Sequence, residues 1–198
     1  MPTPARVRQR NARGEGSLLR RDIILAALAI VDREGGTAGV TLRAVAREVG
    51  IAAPSIYPHF PDADTILRAV VDQVFRQLID RISDAVASIS QAEPRLRAYC
   101  SAYLDFAAAS PQRYKLLFAR QRGNDVGFID QDSSIGRNAF DILLGAVKEV
   151  GSHSQPMVRA TAVWAGLHGI ATLRAGVPQF AWPSNDALVR ALLAEETP

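Results

Sequence analysis

Apolar residues recur at helical spacing along most of this chain, and nowhere do they alternate as a half-buried strand requires. Leu19, Ile23, Leu28 and Val31, with Ile24, Ala27 and Ile30 between them, make one stripe. Leu42, Val45, Ala46 and Val49 make the next, at i, i+3, i+4 and i+7. Longer helical patterns follow over roughly 62–89, 93–109, 111–121, 134–150, 155–175 and 185–195. The pattern predicts an all-α fold, with a small N-terminal three-helix unit followed by a larger helical body.

The punctuation between stripes sets the organisation. Pro2, Pro4, Gly14 and Gly16 break up a polar stretch with no apolar period, so residues 1–16 read as a flexible arm. Ser17 is expected to cap the first helix, and Gly35-Gly36 to stop it. Thr41 is the expected N-cap of the second helix, and Gly50 its stop. Ile51 to Pro61 is short and uncharged, with room for one or two helical turns starting near Pro54. The expected divisions are the arm at 1–16, a compact unit at 17–61 and a helical domain at 62–198.

Several classes of function are excluded. The chain has 198 residues, 48% of them hydrophobic, which is enough to bury a core and too apolar for a disordered chain. Cys100 is the lone cysteine, so neither an internal disulfide nor a zinc site of paired thiols can form. A reducing cytoplasm is the expected compartment. Ile23 to Val31 is bounded by Asp22 and Asp32, and Ala160 to Leu173 is too short to span a bilayer. Asp22 also interrupts the Arg20-Arg21 pair, which argues against a twin-arginine export signal.

No phosphate-binding GxxxxGK[ST], metalloprotease HExxH or hydrolase GxSxG is present. His59, His153 and His168 form no metal-type pair, and Asp105 and Asp141 have no identifiable catalytic partner. No catalytic residue, metal or cofactor is expected. A small helical enzyme is therefore the weaker rival. A helical interaction module without DNA binding is the stronger one, and it would lack the salt-dependent affinity of a DNA binder.

Charge points to a polyanion. Residues 1–21 hold six arginines, Arg13 among them, against Glu15 alone, while the whole chain is only +3. Behind the arm, two short helices separated by a glycine turn form the core of a helix-turn-helix. Thr41 heads a helix whose free N–H groups suit a phosphate. Arg43 and Arg47 can grip the backbone. Ile51 to Pro61 has no lysine or arginine, so a bidentate guanine contact is unavailable there. Ala52, Ala53 and Pro54 offer only apolar contact, and Ser55 can donate or accept at a base edge. Tyr57 and His59 are expected to reach phosphates or sugars. Phe60 is expected in the core, and Cys100 as a buried inert thiol. Much of the sequence preference would then come from the arginine arm in a narrow minor groove.

Thr41-Leu42-Arg43-Ala44-Val45-Ala46-Arg47-Glu48-Val49-Gly50-Ile51, followed by Ser55-Ile56-Tyr57-Pro58-His59-Phe60, resembles the TetR family of transcriptional regulators. Ile66-Leu67 matches the opening of that family's linking helix. Pro111 to Phe118 and Trp164-Ala165-Gly166-Leu167-His168-Gly169 resemble a C-terminal domain named for its Trp-His-Gly motif. Two departures stand out. Ala52 takes the place of a capping serine or threonine, and Pro61-Asp62-Ala63-Asp64 takes the place of a phosphate-gripping lysine.

The resemblance implies a ligand-gated repressor that binds a palindromic operator in double-stranded DNA as a homodimer. It implies a small-molecule pocket, for which Tyr103, Phe106, Phe118, Trp164 and His168 are the candidate lining. Such a lining favours a hydrophobic or aromatic effector. It also implies dimerisation through the last two long helices, with Leu143, Leu144, Val147, Ala165, Gly166 and Gly169 as candidate contacts. The effector would tilt the helix at 62–89 and move the two DNA-reading surfaces out of register.

Overall fold

The computed structural model describes residues 15–118, 134–151 and 154–194. Among them are eight α-helices, one short 3-10 turn and no strand. The chain forms two compact units that divide between Val70 and Val71, inside the third helix.

In the first unit, α1 spans Glu15–Glu34 and α2 spans Leu42–Val49. Ser17 lies inside α1 as described, not ahead of it as its expected N-cap. Gly35, at φ 72°, ends α1. Ile23, Ala27 and Ile30 of α1, with Val45, Ile56, Phe60, Ile66 and Val70, are all fully buried and make up the core of this unit. Arg33 of α1 reaches Glu48 of α2 at 3.2 Å, an exposed pair that adds little to the packing.

The third helix, α3, spans Ala63–Val86. Asp62 caps it: the Thr65 N–H and hydroxyl both donate to Asp62 Oδ1, each at 2.7 Å. Those two bonds hold the Asp62 carboxyl below its ordinary 3.8.

The second unit is built on α4, Ala92–Ala109, which packs against α5 (Pro111–Leu117), α6 (Ser134–Val150), α7 (Pro156–Gly176) and α8 (Asn185–Leu193). Tyr99, Cys100, Tyr103 and Leu104 carry the α4 side of the core, facing Leu143, Val147, Val163, Leu167 and Val189. Polar ties fix the helix ends. Tyr99 donates to the Ala139 carbonyl at 3.1 Å, and Arg95 meets Glu149 at 2.7 Å. Arg159 donates to the Leu193 carbonyl at 2.8 Å, which satisfies an otherwise unpaired C-terminal carbonyl of α8.

Candidate functional site

The first candidate surface is built around α2. Thr41 is in extended conformation, and its side chain accepts from the Ala44 N–H at 3.1 Å. Gly50 ends α2 at φ 77°, a conformation that side chains with a Cβ rarely adopt. The Gly50 N–H bonds to the Arg47 carbonyl and the Ile51 N–H to the Ala46 carbonyl. This doubly bonded stop turns the chain sharply and sets the direction of the next segment.

That segment has the one or two turns the sequence predicts, but not as a regular α-helix. A single 3-10 turn covers Ala53–Ser55, and hydrogen bonds from His59 and Phe60 to the Ile56 carbonyl close a second turn. Proline explains the difference. Pro58 has no N–H to bond back to Pro54, and it disfavours helical backbone at Tyr57. Ala52 occupies the cap position and makes no side-chain cap bond.

The segment is amphipathic. Ile56 and Phe60 are fully buried, while Ala52, Pro54, Ser55 and Tyr57 face solvent. Tyr57 is 57% exposed. Ala53 and His59 are half-buried, and Thr41, Arg43 and Arg47 are exposed on α2. The Arg20 guanidinium lies 4.7 Å from the Phe60 ring centre, a cation–π contact that pins α1 to the turn. Gly16 sits beside His59, so a Cβ there would be 3.9 Å from the imidazole. The chain thus enters α1 next to the exposed segment. Arg13 lies outside the described residues.

The second candidate site is an aromatic cluster in the second unit. Phe118 and His168 lie with ring centres 4.3 Å apart, and Trp164 lies 6.3 Å from His168. Tyr114 contacts Tyr103, Phe118 and His168, at 5.7, 5.2 and 5.9 Å. Phe140 of α6 closes on Trp164 edge-on at 6.2 Å. Tyr103, Phe118, Trp164 and His168 are therefore brought together. Phe106 is not among them: it is buried at the floor of a polar groove with Gln77, Asp80, Arg81 and Arg113. Its three-residue step from Tyr103 sets it about 60° around α4, at the edge of the same buried stripe. Tyr114 and Phe140 were missed as cluster members. The i, i+4 spacing of Tyr114 and Phe118 was the available signal for Tyr114.

Burial lowers the His168 pKa from its ordinary 6.5 and raises those of Tyr103 and Tyr114. Cys100 is fully buried, and burial pushes its thiol up to about 12.

The expected dimer contacts divide, and two of them are corrected. Leu143 and Val147 lie in the core of the protomer itself, because their stripe on α6 faces α4 and α7. Leu144 is half-buried. Gly166 serves an approach within the chain: a Cβ there would come within 2.5 Å of a Leu192 methyl. Ala165 is exposed, and Gly169 has open space where a Cβ would point. Both belong to an exposed face of α7 with Val158, Ala162 and Leu173. Val158, Leu173 and, beyond α7, Phe180 are each more than half exposed, which sequence periodicity alone did not single out.

A model of the tetracyclin repressor-like C-terminal domain matches residues 96–195, and one of the bacterial regulatory proteins of the tetR family matches residues 24–70. The chain belongs to the TetR family.

Solved structures agree with a TetR fold. A protein of unknown function from Rhodococcus sp. RHA1 is 27% identical, at a TM-score of 0.76 over 92% of this chain and 94% of that one. The regulator FadR from Bacillus subtilis, solved with stearoyl-CoA, is 18% identical, at a TM-score of 0.70 over 87% and 95%. The multidrug binding protein EbrR, solved with imidazole, is 18% identical, at a TM-score of 0.69 over the full length of both chains. In the TetR frame, the glycine-stopped α2 and the segment after it lie within the N-terminal family match. The aromatic cluster lies within the C-terminal one. Among the described residues, no helix is long and apolar enough to cross a membrane, and no group of side chains could hold a metal.

Proposed function

We propose that this TetR-family regulator is a cytoplasmic repressor that binds a palindromic operator as a homodimer and is released by a small hydrophobic or aromatic effector. One observation carries the DNA half of this reading. Ser55 and Tyr57 stand exposed on a segment whose other side, Ile56 and Phe60, is locked into the core. A rigid, uncharged, outward face beside Arg43 and Arg47 suits a duplex: the arginines hold phosphates while Ser55 and the small apolar residues meet base edges. Asp62 stays anionic at the start of α3, so backbone grip falls to α2 and the arginine arm.

The effector half rests on the cluster of Tyr103, Tyr114, Phe118, Trp164 and His168, with its apolar walls and few polar groups. The exposed face of α7, through Val158, Ala162, Ala165, Gly169 and Leu173, is the proposed dimer surface. The Trp-His-Gly type of C-terminal domain is proposed on the residues Trp164, His168 and Gly169. Operator fragments selected from genomic DNA test the reading. Replacing Ser55, Tyr57 and His59 together with alanine should abolish selection while the helical content of the protein is unchanged. Equal selection by the variant would refute the placement of the DNA surface.

A further inference from the structure

Two hydrogen bonds run in series through the second unit. The Tyr103 and Tyr114 hydroxyls are 2.9 Å apart, and the Tyr114 hydroxyl lies 2.8 Å from His168 Nδ1. Both phenols are buried, so solvent does not serve them.

The inner end of this series gives it a direction. A hydroxyl donates one proton and accepts others. The acceptor the series offers the Tyr103 proton is the Tyr114 hydroxyl, and the Tyr114 proton then goes to His168 Nδ1. The reverse order, with His168 Nδ1 donating, leaves a buried hydroxyl proton with no acceptor in the series. Buried polar hydrogens avoid that state. His168 must then carry its proton on Nε2. That edge faces the Thr172 hydroxyl at 3.5 Å, the long limit of a hydrogen bond, so its donor is under-used.

We infer that the Tyr103–Tyr114 series locks His168 as the neutral Nε2–H tautomer, and that the effector carries a hydrogen-bond acceptor oxygen on an apolar ring body. The ligand part of this inference rests on the effector site proposed above. The His168 ring lies beside Phe118, Tyr114 and Trp164, and its Nε2–H can donate to a carboxylate or carbonyl oxygen but finds no acceptor on an ammonium, which brings only donors.

Two measurements test it separately. In 15N-histidine-labelled full-length protein at pH 7, long-range proton–nitrogen correlations should show His168 with a bare Nδ1 and a protonated Nε2. Tyr114→Phe should release the lock and give a tautomer mixture. A ring protonated on Nδ1, or on both nitrogens, would overturn the relay. Tryptophan fluorescence titrations with benzoate and benzylamine, a matched acid and amine, then test the ligand class. Benzoate should bind at least roughly tenfold tighter, a preference that His168→Ala removes. Equal or tighter binding of the amine would overturn the assigned class. If the tautomer is as stated and neither probe binds, the relay stands, and both the ligand class and the effector-site reading fall.

Discussion

Tyr57 and Phe60 are three residues apart and have opposite jobs. Phe60 is fully buried against the Arg20 guanidinium, so Phe60→Ala should cost about 3–5 kcal/mol of stability, read by denaturant unfolding. Tyr57 is exposed, so Tyr57→Ala should leave stability within about 0.5 kcal/mol and weaken DNA binding instead. His168 contributes a pH dependence whose sign is fixed. Burial lowers its folded pKa below the ordinary 6.5, so the native state binds fewer protons than the unfolded chain. Its share of stability is full above that ordinary value and is lost as pH falls through the lowered folded value. Unfolding midpoints measured from pH 7.5 down to 5 should fall less in His168→Gln than in the wild type. Cys100, buried with its thiol raised to about 12, should resist alkylation by iodoacetamide in the native protein and react only on unfolding.

At the scale of elements, α2 depends on its two ends. Thr41→Ala removes the cap on the Ala44 N–H and should cost about 1 kcal/mol. Gly50→Ala places a Cβ on a residue at φ 77° and should cost about 1–2 kcal/mol, both read by thermal unfolding. These ends were legible in the sequence, because a cap and a left-handed stop are local chemistry. The same holds for Phe60, whose spacing from Ile56 puts both on one side of a turn. The length of the proposed DNA-reading segment was legible but its form was not: Pro54 and Pro58 together give one 3-10 turn and a closing turn in place of a regular helix. The start of α1 was misjudged because Ser17 is a good cap anywhere, and only the folded chain shows Glu15 ahead of it in the helix. Periodicity marked Leu143 and Val147 as apolar but could not say which neighbour they meet. The structure answers with α4 and α7 of their own protomer. Phe106 fell outside the aromatic cluster for a similar reason: the stripe on α4 is wider than the site it borders.

For the whole molecule, one short DNA-reading segment buries too little surface to bind tightly, so the account needs two per assembly. The exposed apolar face of α7 is the proposed docking surface for a second copy. Leu173→Glu should lower dimer content in sedimentation equilibrium, with helical content unchanged, and should weaken operator binding with it. Linkage adds a constraint: an effector that weakens operator binding must itself bind less tightly when operator is present, by the same factor.

The central claim, that the face of Ser55 and Tyr57 lies on a duplex and is held there by arginines, is tested most directly by operator affinity as a function of salt. Equilibrium binding of the wild type to a selected palindromic fragment should fall steeply and linearly on a log–log plot as salt rises. The variant with Ser55, Tyr57 and His59 all replaced by alanine should keep a similar slope at much lower affinity. Affinity that ignores salt, or that is the same in wild type and variant, would contradict the account.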